Sequence, residues 1–339
     1  MIKEIINKVV RRENLSFVEA KEVMEQVMEG GATPAQIGSL ITALRMKGET
    51  VEEIAGCAQA MKTKAFSINS KYSTLIDTCG TGGDGSGTFN ISTTVAFVVA
   101  GAGLPVAKHG NRSVSSKSGS ADLLEALGVK IDLSPSEVEL ILNEIGIAFL
   151  YAPVFHQAMK HAVGPRREVG IRSIFNILGP LTNPAQAKVQ VLGVYDPNLT
   201  EIMAQVLERL GVKTAYVVHG VGGLDEISTL GPTKISCLHQ GSIKTFTINP
   251  EDYGFTRVKL EDLQGGEASQ NAVITRNILA GKKSPYKDIV LFNGAVALMA
   301  GGIAKDISEG IKIAEEILDS GRAMAKLEQL IEATNRIRH

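Results

Sequence analysis

The sequence predicts an α/β protein: a small N-terminal α-helical domain followed by a large α/β domain with a mostly parallel central sheet flanked by helices. Helix-start signals and helical periodicity fill residues 1–65. From Tyr72 onward, short apolar runs alternate with helical segments, a pattern typical of a parallel sheet covered by helices. We therefore assign residues 1–70 to the helical domain and residues 71–339 to the α/β domain.

The helical domain is predicted from one start signal that occurs three times. A hydroxyl residue precedes a Glu or Gln by three positions in Ser16 and Glu19, Thr33 and Gln36, and Thr50 and Glu53. The helices that start at Ser16 and Thr33 are predicted to end at Gly30-Gly31 and at Gly48, and residues 2–12 are predicted to form the opening helix. Four helices of this size bury little core alone, so we expect helices from about 165–185 or a second subunit to pack on them.

The third of these helices has an apolar face at helical spacing, made of Ile37, Leu40, Ile41 and Leu44. We interpret this face as core or dimer contact rather than as a ligand site.

The α/β domain is predicted from strands and helices in alternation. The predicted strands are 73–77, 104–110, 147–152, 189–196 and 214–220, then a hairpin of 235–240 and 243–248 turning at Gly241. The predicted helices are 92–102, 121–127, one that opens at Ser134 and stops at Gly146, 200–210, and most of the last 70 residues. Ligands of such sheets bind at the carboxyl ends of the strands.

Composition excludes several classes of protein. With 44% hydrophobic and 21% charged residues and a net charge of −1, the chain has no general attraction to nucleic acid or to anionic membranes. Cys57, Cys79 and Cys237 have no disulfide or zinc spacing, which favours a reduced, cytoplasmic setting. The charged N-terminus is no signal peptide, and the apolar run 289–304, interrupted by Asn293, predicts a buried helix rather than a membrane span.

The most informative segment is 77–120, where two loops rich in Gly, Ser, Thr and Asn flank an apolar stretch. No Asp or Glu occurs from Gly85 to Ala121, while Lys108, Arg112 and Lys117 do. Backbone N–H groups, small hydroxyls and fixed positive charge are what a polyphosphate requires. Glycines that only mark tight turns are the alternative interpretation, which is weaker for two such loops together.

Two known phosphate motifs do not fit the first loop. Gly80, Gly82 and Gly85 match the dinucleotide fingerprint, but the acidic residue expected about 20 positions further on is missing. A Walker loop is excluded because Ser116, not Gly, precedes Lys117. A phosphate site of another design remains, with Asp84 as a contact to a metal or a sugar hydroxyl.

Few other residues point to chemistry. The adjacent acids Asp225 and Glu226 follow the predicted strand 214–220 and suit Mg²⁺, although a solvated turn would be favoured without the phosphate loops. His156 and His161, five apart, are interpreted as packing residues, and Cys79 as a small buried residue rather than a nucleophile.

Five ordered motifs carry a resemblance to a known family: CGTGGD (79–84), FNIST (89–93), KHGNRSVSSKSGSAD (108–122), RREVGIRSIFNILGPLTNP (166–184) and GLDEIS (223–228). The chain resembles the anthranilate phosphoribosyltransferases, within the nucleoside-phosphorylase-like phosphoribosyltransferases. The resemblance implies transfer of phosphoribose from 5-phosphoribosyl-1-diphosphate (PRPP) to anthranilate, the second step of tryptophan biosynthesis from chorismate. It also implies two Mg²⁺ per subunit and a homodimer.

The resemblance assigns residues to each ligand. PRPP would be bound by Gly80, Gly83, Asp84, Thr88, Asn90, Ile91, Ser92, Thr93, Lys108, His109, Gly110, Asn111, Arg112, Ser113, Val114, Ser115, Ser116 and Ser120. Anthranilate would contact Gly80, Asn111 and Arg166. Magnesium would be bound by Ser92, Asp225 and Glu226. The assignments imply electrostatic, metal-assisted catalysis without a protein nucleophile or base.

The segment before Arg166 departs from the family pattern, because Gln157 stands where Pro is usual and Gly164-Pro165 where a Pro-Val order is expected.

Two other functions remain open at this point. A pyrimidine nucleoside phosphorylase would show phosphate-dependent nucleoside cleavage, and a nucleic-acid-binding relative would show salt-sensitive DNA binding without turnover.

Overall fold

The computed structural model describes residues 1–113 and 117–337. The chain begins with four helices, α1 to α4, which span Ile2–Val10, Phe17–Met28, Pro34–Lys47 and Val51–Lys64. At Ser16, Thr33 and Thr50 the side chain accepts the N–H three residues on, and the Glu or Gln there accepts the cap N–H in return. All three predicted helix starts are thus confirmed as capping boxes.

A seven-stranded sheet follows, in the order β3-β2-β1-β4-β5-β6-β7. Its strands β1 to β7 span Ile76–Gly80, Val106–Gly110, Ile147–Tyr151, Val189–Gly193, Thr214–Gly220, Thr233–His239 and Ser242–Ile248. Strands β1 to β5 are paired in parallel, and β6 and β7 form the antiparallel hairpin at the edge. The fold class predicted from the sequence is confirmed.

The remaining helices connect and cover these strands. Helices α5 to α10 span Ile91–Gly101, Ser120–Leu127, Pro135–Ile145, Ala152–Phe155, Lys160–Val169 and Phe175–Leu178. Helices α11 to α15 span Leu199–Arg209, Ala268–Leu279, Pro285–Ala300, Ile307–Asp319 and Arg322–Arg336. Short 3₁₀ helices lie at Gln157–Met159, Gly179–Leu181, Pro250–Tyr253 and Leu260–Leu263.

The first strand begins later than the sequence predicts, at Ile76 rather than at residue 73, and ends at Gly80. Asp77 lies in the strand, as predicted, and Thr78, which was predicted to lie outside the strand, extends it; both side chains are fully or almost fully buried. The Asp77 carboxylate accepts hydrogen bonds from the Asn183 amide (2.7 Å) and the His109 N–H (3.3 Å), which makes its burial possible.

The sheet separates two hydrophobic cores. Val191 and Leu192, neighbours on β4, belong to different cores because successive side chains of a strand face opposite sides. One core contains α5 and α13, and the other joins α1–α4 to α11 and to one face of β4 and β5. The four N-terminal helices therefore bury their apolar side chains against the sheet layer as well as against each other, and the boundary at residue 70 stays a prediction.

Helices α9 and α10 lie on the N-terminal helices: α9 packs on α2 and α3, and α10 packs on α4. The apolar face of α3 is core, since Ile37, Leu40, Ile41 and Leu44 are at most 2% exposed within the single chain. These four side chains are therefore not a dimer contact. The apolar run around Asn293 forms the buried helix α13, as predicted. Among the residues described, no helix is both long and apolar enough to cross a membrane.

Candidate active site

Four neighbouring parallel strands, β2, β1, β4 and β5, end at the same edge of the sheet in Gly110, Gly80, Gly193 and Gly220. The loop that carries Asp225 lies directly on two of these ends. A Cβ atom at Gly80 would lie 2.3 Å from Asp225 Oδ2, and one at Gly193 would lie 1.5 Å from the Asp225 carbonyl oxygen. Only glycine allows this approach, so the glycines at the strand ends place the acidic loop at the carboxyl edge of the sheet.

The acid pair contacts the first glycine-rich loop and the start of α5. Asp225 Oδ2 accepts the Gly82 N–H at 2.8 Å, and Glu226 Oε1 accepts the Ser92 N–H at 3.1 Å. Burial, together with the negative charge of Asp84, raises the pKa of Asp225. Burial and the charge of Asp225 raise the pKa of Glu226 well above its usual value. Three carboxylates thus crowd one side of the site, where a cation would relieve their repulsion.

This donor set fits Mg²⁺. Within residues 1–113 and 117–337 there is no group of three or more His, Cys, Asp or Glu side chains arranged to hold a metal. Mg²⁺ commonly takes one or two carboxylates and completes its shell with water and phosphate oxygens. Asp225, Glu226 and the Ser92 hydroxyl would suit an ion that arrives with a polyphosphate.

Helix α5 begins beside the acid pair without a capping side chain of its own. Among the described residues, Asn90 makes no capping hydrogen bond, and the first turn holds no acidic residue. The side-chain nitrogen of Asn90 instead donates to the Ser118 carbonyl at 3.0 Å, and the side-chain oxygen of Asn90 accepts from the Asn271 amide at 3.0 Å. The side chains of Ile91 and Thr93 are buried, so these two residues could reach an anion only through the backbone. Asn90 therefore joins α5 to the second loop instead of closing the helix end.

Lys108 supplies positive charge at the base of the site. Its side chain is buried, and Nζ donates to the Thr78 carbonyl and lies 3.5 Å from Ser92 Oγ. Burial lowers the pKa of Lys108, while the negative charges of Asp77 and Glu226 oppose this shift. The ammonium group thus stands between buried carboxylates and the start of α5.

The second loop is tied at both ends by Asp122 of α6. Asp122 Oδ2 accepts the N–H of Ser113 (3.0 Å) and of Gly119 (2.8 Å), and the Ser120 hydroxyl donates to the Asn111 carbonyl at 3.2 Å. Arg112 pairs with Asp122 and Glu125 and lies over the Tyr151 ring, and its predicted phosphate contact stays a prediction. The predicted contacts Val114, Ser115 and Ser116 lie outside the described residues.

The first loop is shaped by its own side chains. The Asp84 carboxylate accepts the Ser86 N–H at 3.2 Å and the Ser86 hydroxyl at 2.6 Å. Thr88 forms an isolated β-bridge with Gln264, and the Gly83 carbonyl accepts from the Arg172 guanidinium. The Asp84 carboxylate interacts with that of Asp225, so the two side chains lie near each other, and the role of Asp84 as a contact to a metal or sugar hydroxyl stays a prediction.

His109, which was also predicted to contact phosphate, presents its ring to the other side of β2 from Lys108. The ring packs against His156, with centroids 5.0 Å apart. Burial lowers the pKa of His109 to about 3 and that of His156 to about 4, so both imidazoles are neutral.

Cys79 is buried and accepts from the Gln190 amide, and burial raises the pKa of its thiol well above the usual value. Cys79 is therefore an inert buried residue, as predicted.

Arg166 lies half-buried on α9, with its guanidinium carbon 5.1 Å from the centre of the Phe175 ring. Burial lowers the pKa of Arg166. Among the described residues no carboxylate forms an ion pair with it. A half-buried guanidinium stacked on an aromatic ring and lacking an acidic partner is suited to a planar carboxylate ligand.

Sequence reasoning missed Arg172 as a site residue. Its guanidinium donates to the Gly83 carbonyl and stacks over the Tyr195 ring, 4.3 Å from the ring centre. The Tyr195 N–H in turn donates to the Thr81 hydroxyl at 3.2 Å. The motif that contains Arg172 was recognised, but its partners are distant in sequence and no local pattern indicated them.

Two family models match the chain. The model described as a glycosyl transferase family helical bundle domain matches residues 3–65, and the model of the a/b domain of the glycosyl transferase family matches residues 72–324. The anthranilate phosphoribosyltransferase of Acetivibrio thermocellus is 58% identical over 335 residues, 99% of this chain and 97% of that protein. The one of Moorella thermoacetica is 57% identical over 331 residues, 98% of each chain.

Solved structures show the same similarity. The crystal structure of anthranilate phosphoribosyltransferase from Thermus thermophilus superimposes with a TM-score of 0.93 at 42% identity, covering 98% of this chain and 99% of that one. The Saccharomyces cerevisiae enzyme in complex with PRPP and Mg has a TM-score of 0.90 at 30% identity, covering 99% and 98%. This chain belongs to the anthranilate phosphoribosyltransferases of that glycosyl transferase family, and the resemblance found in its motifs is confirmed.

Proposed function

We propose that this protein transfers the phosphoribosyl group of PRPP to the amine of anthranilate, giving N-(5-phosphoribosyl)anthranilate and diphosphate. Family membership over nearly the whole chain supports this reaction. Two Saccharomyces cerevisiae structures of the same fold contain PRPP and Mg or 4-fluoroanthranilate, which supports the two substrates.

One observation carries the proposal: the uncapped start of α5 meets the Asp225-Glu226 pair. The Ser92 N–H contacts Glu226, and Lys108 Nζ lies beside the Ser92 hydroxyl. An open helix N-terminus and a buried ammonium group favour phosphate oxygens, while the acid pair favours the cation that accompanies them. A polyphosphate bound with magnesium satisfies both halves of this arrangement.

The chain's own residues would then act by orientation and electrostatics. Loop N–H groups, the α5 terminus and Lys108 would hold the diphosphate as charge builds on it. Mg²⁺ bound to Ser92, Asp225 and Glu226 would supply further neutralisation of the leaving group. Asp84, at the mouth of the first loop, would orient the ribose through its hydroxyls. The buried Cys79 thiol, whose pKa is raised well above its usual value, would not serve as a nucleophile, and the proposed reaction needs none.

The acceptor side would use Arg166. Its guanidinium would bind the anthranilate carboxylate, with Asn111 and Gly80 beside it, and so present the amine to the ribose carbon. We also propose two Mg²⁺ per subunit and a cytoplasmic location.

The test is the loss of anthranilate fluorescence in the presence of PRPP and Mg²⁺, with purified enzyme. We expect turnover that needs all three components and stops with a chelator. Phosphate-dependent cleavage of pyrimidine nucleosides without anthranilate consumption would favour a nucleoside phosphorylase instead. Salt-sensitive DNA binding with no turnover of either kind would favour a binding protein.

We further propose a homodimer formed through α1, α3 and α9. These helices line a surface groove of about 690 Å³, whose walls include Val10, Met46 and Val169. Val10 is 64% and Met46 75% exposed, which is unusual for large apolar side chains on the same face. Arg12 and Glu168 also line the groove, and a twofold axis would bring such opposite charges together.

Sedimentation should therefore give a dimer at micromolar concentration, and Met46→Glu should shift it towards monomer. Val273→Glu is the matched control, because Val273 is equally apolar and 60% exposed but lies on α12. A wild-type monomer, or equal effects of both substitutions, would contradict this interface.

A further inference from the structure

Helix α13 is apolar along most of its length, and Asn293 is the exception in its buried middle. Nine residues from Ile289 to Ala297 are buried, and Asn293 among them is 2% exposed. A buried amide is unfavourable unless its hydrogen-bonding groups are satisfied. Its partners therefore indicate why this position is polar.

The Asn293 side chain forms two hydrogen bonds with the backbone of one distant residue, Ile227. Its Oδ1 accepts the Ile227 N–H at 2.9 Å, and its Nδ2 donates to the Ile227 carbonyl at 2.8 Å. Nδ2 also donates to the Ile289 carbonyl at 2.8 Å, one turn back in the helix. With two donors and an acceptor engaged, the amide plane is fixed, and it pairs with Ile227 as a neighbouring strand would.

Ile227 directly follows Glu226, so this contact fixes the acidic loop next to its functional residues. The loop is held at other points as well: the Gly220 N–H donates to the Leu224 carbonyl at 2.8 Å, and the Ser228 N–H to the Thr233 hydroxyl at 2.9 Å. Only Asn293 among these partners comes from the opposite layer of helices. The contact from α13 therefore holds the backbone of the residue that directly follows Glu226.

The acid pair is aimed at the site through two hydrogen bonds, from the Gly82 N–H to Asp225 Oδ2 and from the Ser92 N–H to Glu226 Oε1. A backbone free to rotate at Ile227 could turn Glu226 outward to solvent and break its hydrogen bond with Ser92. The double hydrogen bond from Asn293 opposes that rotation, since Ile227 would lose two buried hydrogen bonds.

We propose that Asn293 is the positioning residue of the magnesium site: it holds Ile227 so that Asp225 and Glu226 face the start of α5 before the metal and PRPP arrive. The inference rests on the proposed function, because it concerns the metal of that reaction. Asn293 does not touch substrate, and it acts only through the loop it holds.

The test compares three variants of the full-length enzyme. Asn293→Leu keeps the volume and removes both hydrogen bonds to Ile227, whereas Asn293→Asp keeps the oxygen that accepts from Ile227. Leu298→Ala is the control, because Leu298 is fully buried in the same helix but lies about 140° around its axis from Asn293. Each variant is characterised by its melting temperature, so that a loss of packing is measured separately.

Residues that orient metal ligands change metal affinity by about 10–100-fold when replaced. We expect Asn293→Leu to raise the Mg²⁺ concentration for half-maximal rate by about tenfold or more, with the anthranilate KM within twofold of wild type. Binding of Mn²⁺ with PRPP, followed by the electron paramagnetic resonance of free Mn²⁺, should weaken by the same factor without any turnover. Asn293→Asp should also weaken Mn²⁺ binding, because its second oxygen would face the Ile227 and Ile289 carbonyl groups to which Nδ2 donates in the wild type.

Wild-type Mn²⁺ binding in Asn293→Leu, or an equal loss in Leu298→Ala, would overturn the inference. If Asn293→Leu does not fold, Asn293→Asp alone decides, since an unchanged metal response in that variant contradicts the proposal. A failure of the proposed function is a separate result, because the wild-type enzyme itself would then lack anthranilate turnover.

Discussion

Helices α2, α3 and α4 of the N-terminal region and helix α5 begin in opposite ways. Helices α2, α3 and α4 each start with a hydroxyl residue whose side chain accepts an otherwise free N–H, and a Glu or Gln completes the capping box. Helix α5 starts at a sheet edge with no such cap among the described residues, and its Ser92 N–H is met by Glu226, 134 residues away. The N-terminal N–H groups of α2, α3 and α4 are thus capped by residues nearby in sequence, whereas the cap at α5 comes from tertiary structure.

Buried carboxylates differ between the two regions in the same way. Glu53 is fully buried and accepts from Leu15 N–H (2.9 Å), Thr50 N–H (2.8 Å) and Lys47 Nζ (2.9 Å), so its charge is satisfied inside the protein. Glu226 lies among other acids, and its pKa is raised. The charge of Glu53 is therefore balanced by partners within the protein. The raised pKa of Glu226 is typical of a functional site instead.

The largest expected effect comes from removing the acids at α5. Asp225→Ala with Glu226→Ala should lower kcat by about 1000-fold or more, because metal-based stabilisation of the leaving group is worth several kcal/mol. The melting temperature should stay the same or rise, since repelling buried charges are lost. Steady-state rates at varied Mg²⁺ and a thermal melt give both numbers, and wild-type activity at limiting Mg²⁺ would refute the metal assignment.

Removing the Glu53 carboxylate should have the opposite effect: it should lower stability and leave activity unchanged. Glu53→Ala leaves the Lys47 ammonium, 4% exposed, without its partner, and breaking a buried pair in this way costs about 3–5 kcal/mol of unfolding free energy. Denaturant unfolding measures this loss. At a temperature where the variant remains folded, kcat and the PRPP KM should match wild type, and a selective loss of PRPP binding would show that the two regions are not independent.

Arg166 tests whether the donor and acceptor sides are separate. Arg166→Ala should raise the anthranilate KM about 10- to 150-fold, the loss of one charge-assisted contact worth about 1.5–3 kcal/mol. The PRPP KM should change little, and Arg166→Lys should restore binding only in part because a point charge cannot reproduce the planar fork. Weakened PRPP binding with normal anthranilate binding would instead move Arg166 into the phosphate site.

A single helix cap should matter for stability alone. Thr50→Ala removes the hydroxyl that accepts the Glu53 N–H and should lower the free energy of unfolding by about 1 kcal/mol. Thr50→Ser restores the hydroxyl and should recover most of this. Chemical denaturation provides the comparison, and an unchanged midpoint in Thr50→Ala would mean that the cap at α4 is not needed.

The smallest effect concerns pH. The Lys8 ammonium and the Ser16 N–H lower the pKa of Glu19 from 4.5 to about 2. A lowered pKa in the folded state stabilises the protein above the unfolded value, and this stability is lost as pH falls from about 4.5 towards 2. Glu19→Gln should flatten the decline of unfolding free energy in that window. Glu22→Gln, on the exposed side of the same helix, should leave the slope unchanged.

The sequence predicted the parts of this protein whose causes are local. Capping boxes, the glycine stop at Gly146 and the alternation of strands with helices all depend on residues a few positions apart, and the structure contains them. The motifs also identified the family correctly. The end of β1 was predicted at Asp77 rather than at Gly80, because Thr78 and the glycines that follow are typical of a loop, although Thr78 and Cys79 are buried within the strand.

Tertiary structure alone decided how the site is put together. The stretch from Gly85 to Ala121 has no acid in sequence, yet Glu226 contacts its backbone at Ser92, and Asp122 binds the second loop at Ser113. Arg112 pairs with Asp122 and Glu125, while Asn293 hydrogen-bonds Ile227 of the acidic loop, 66 positions away in sequence. Hydrogen bonds and charge interactions act over a few ångströms of space, and a parallel sheet brings together strand ends that are far apart in the chain. Composition, periodicity and capping signals describe neighbours along the chain, and for that reason they could indicate candidate phosphate-binding loops but not which distant side chains lie beside them.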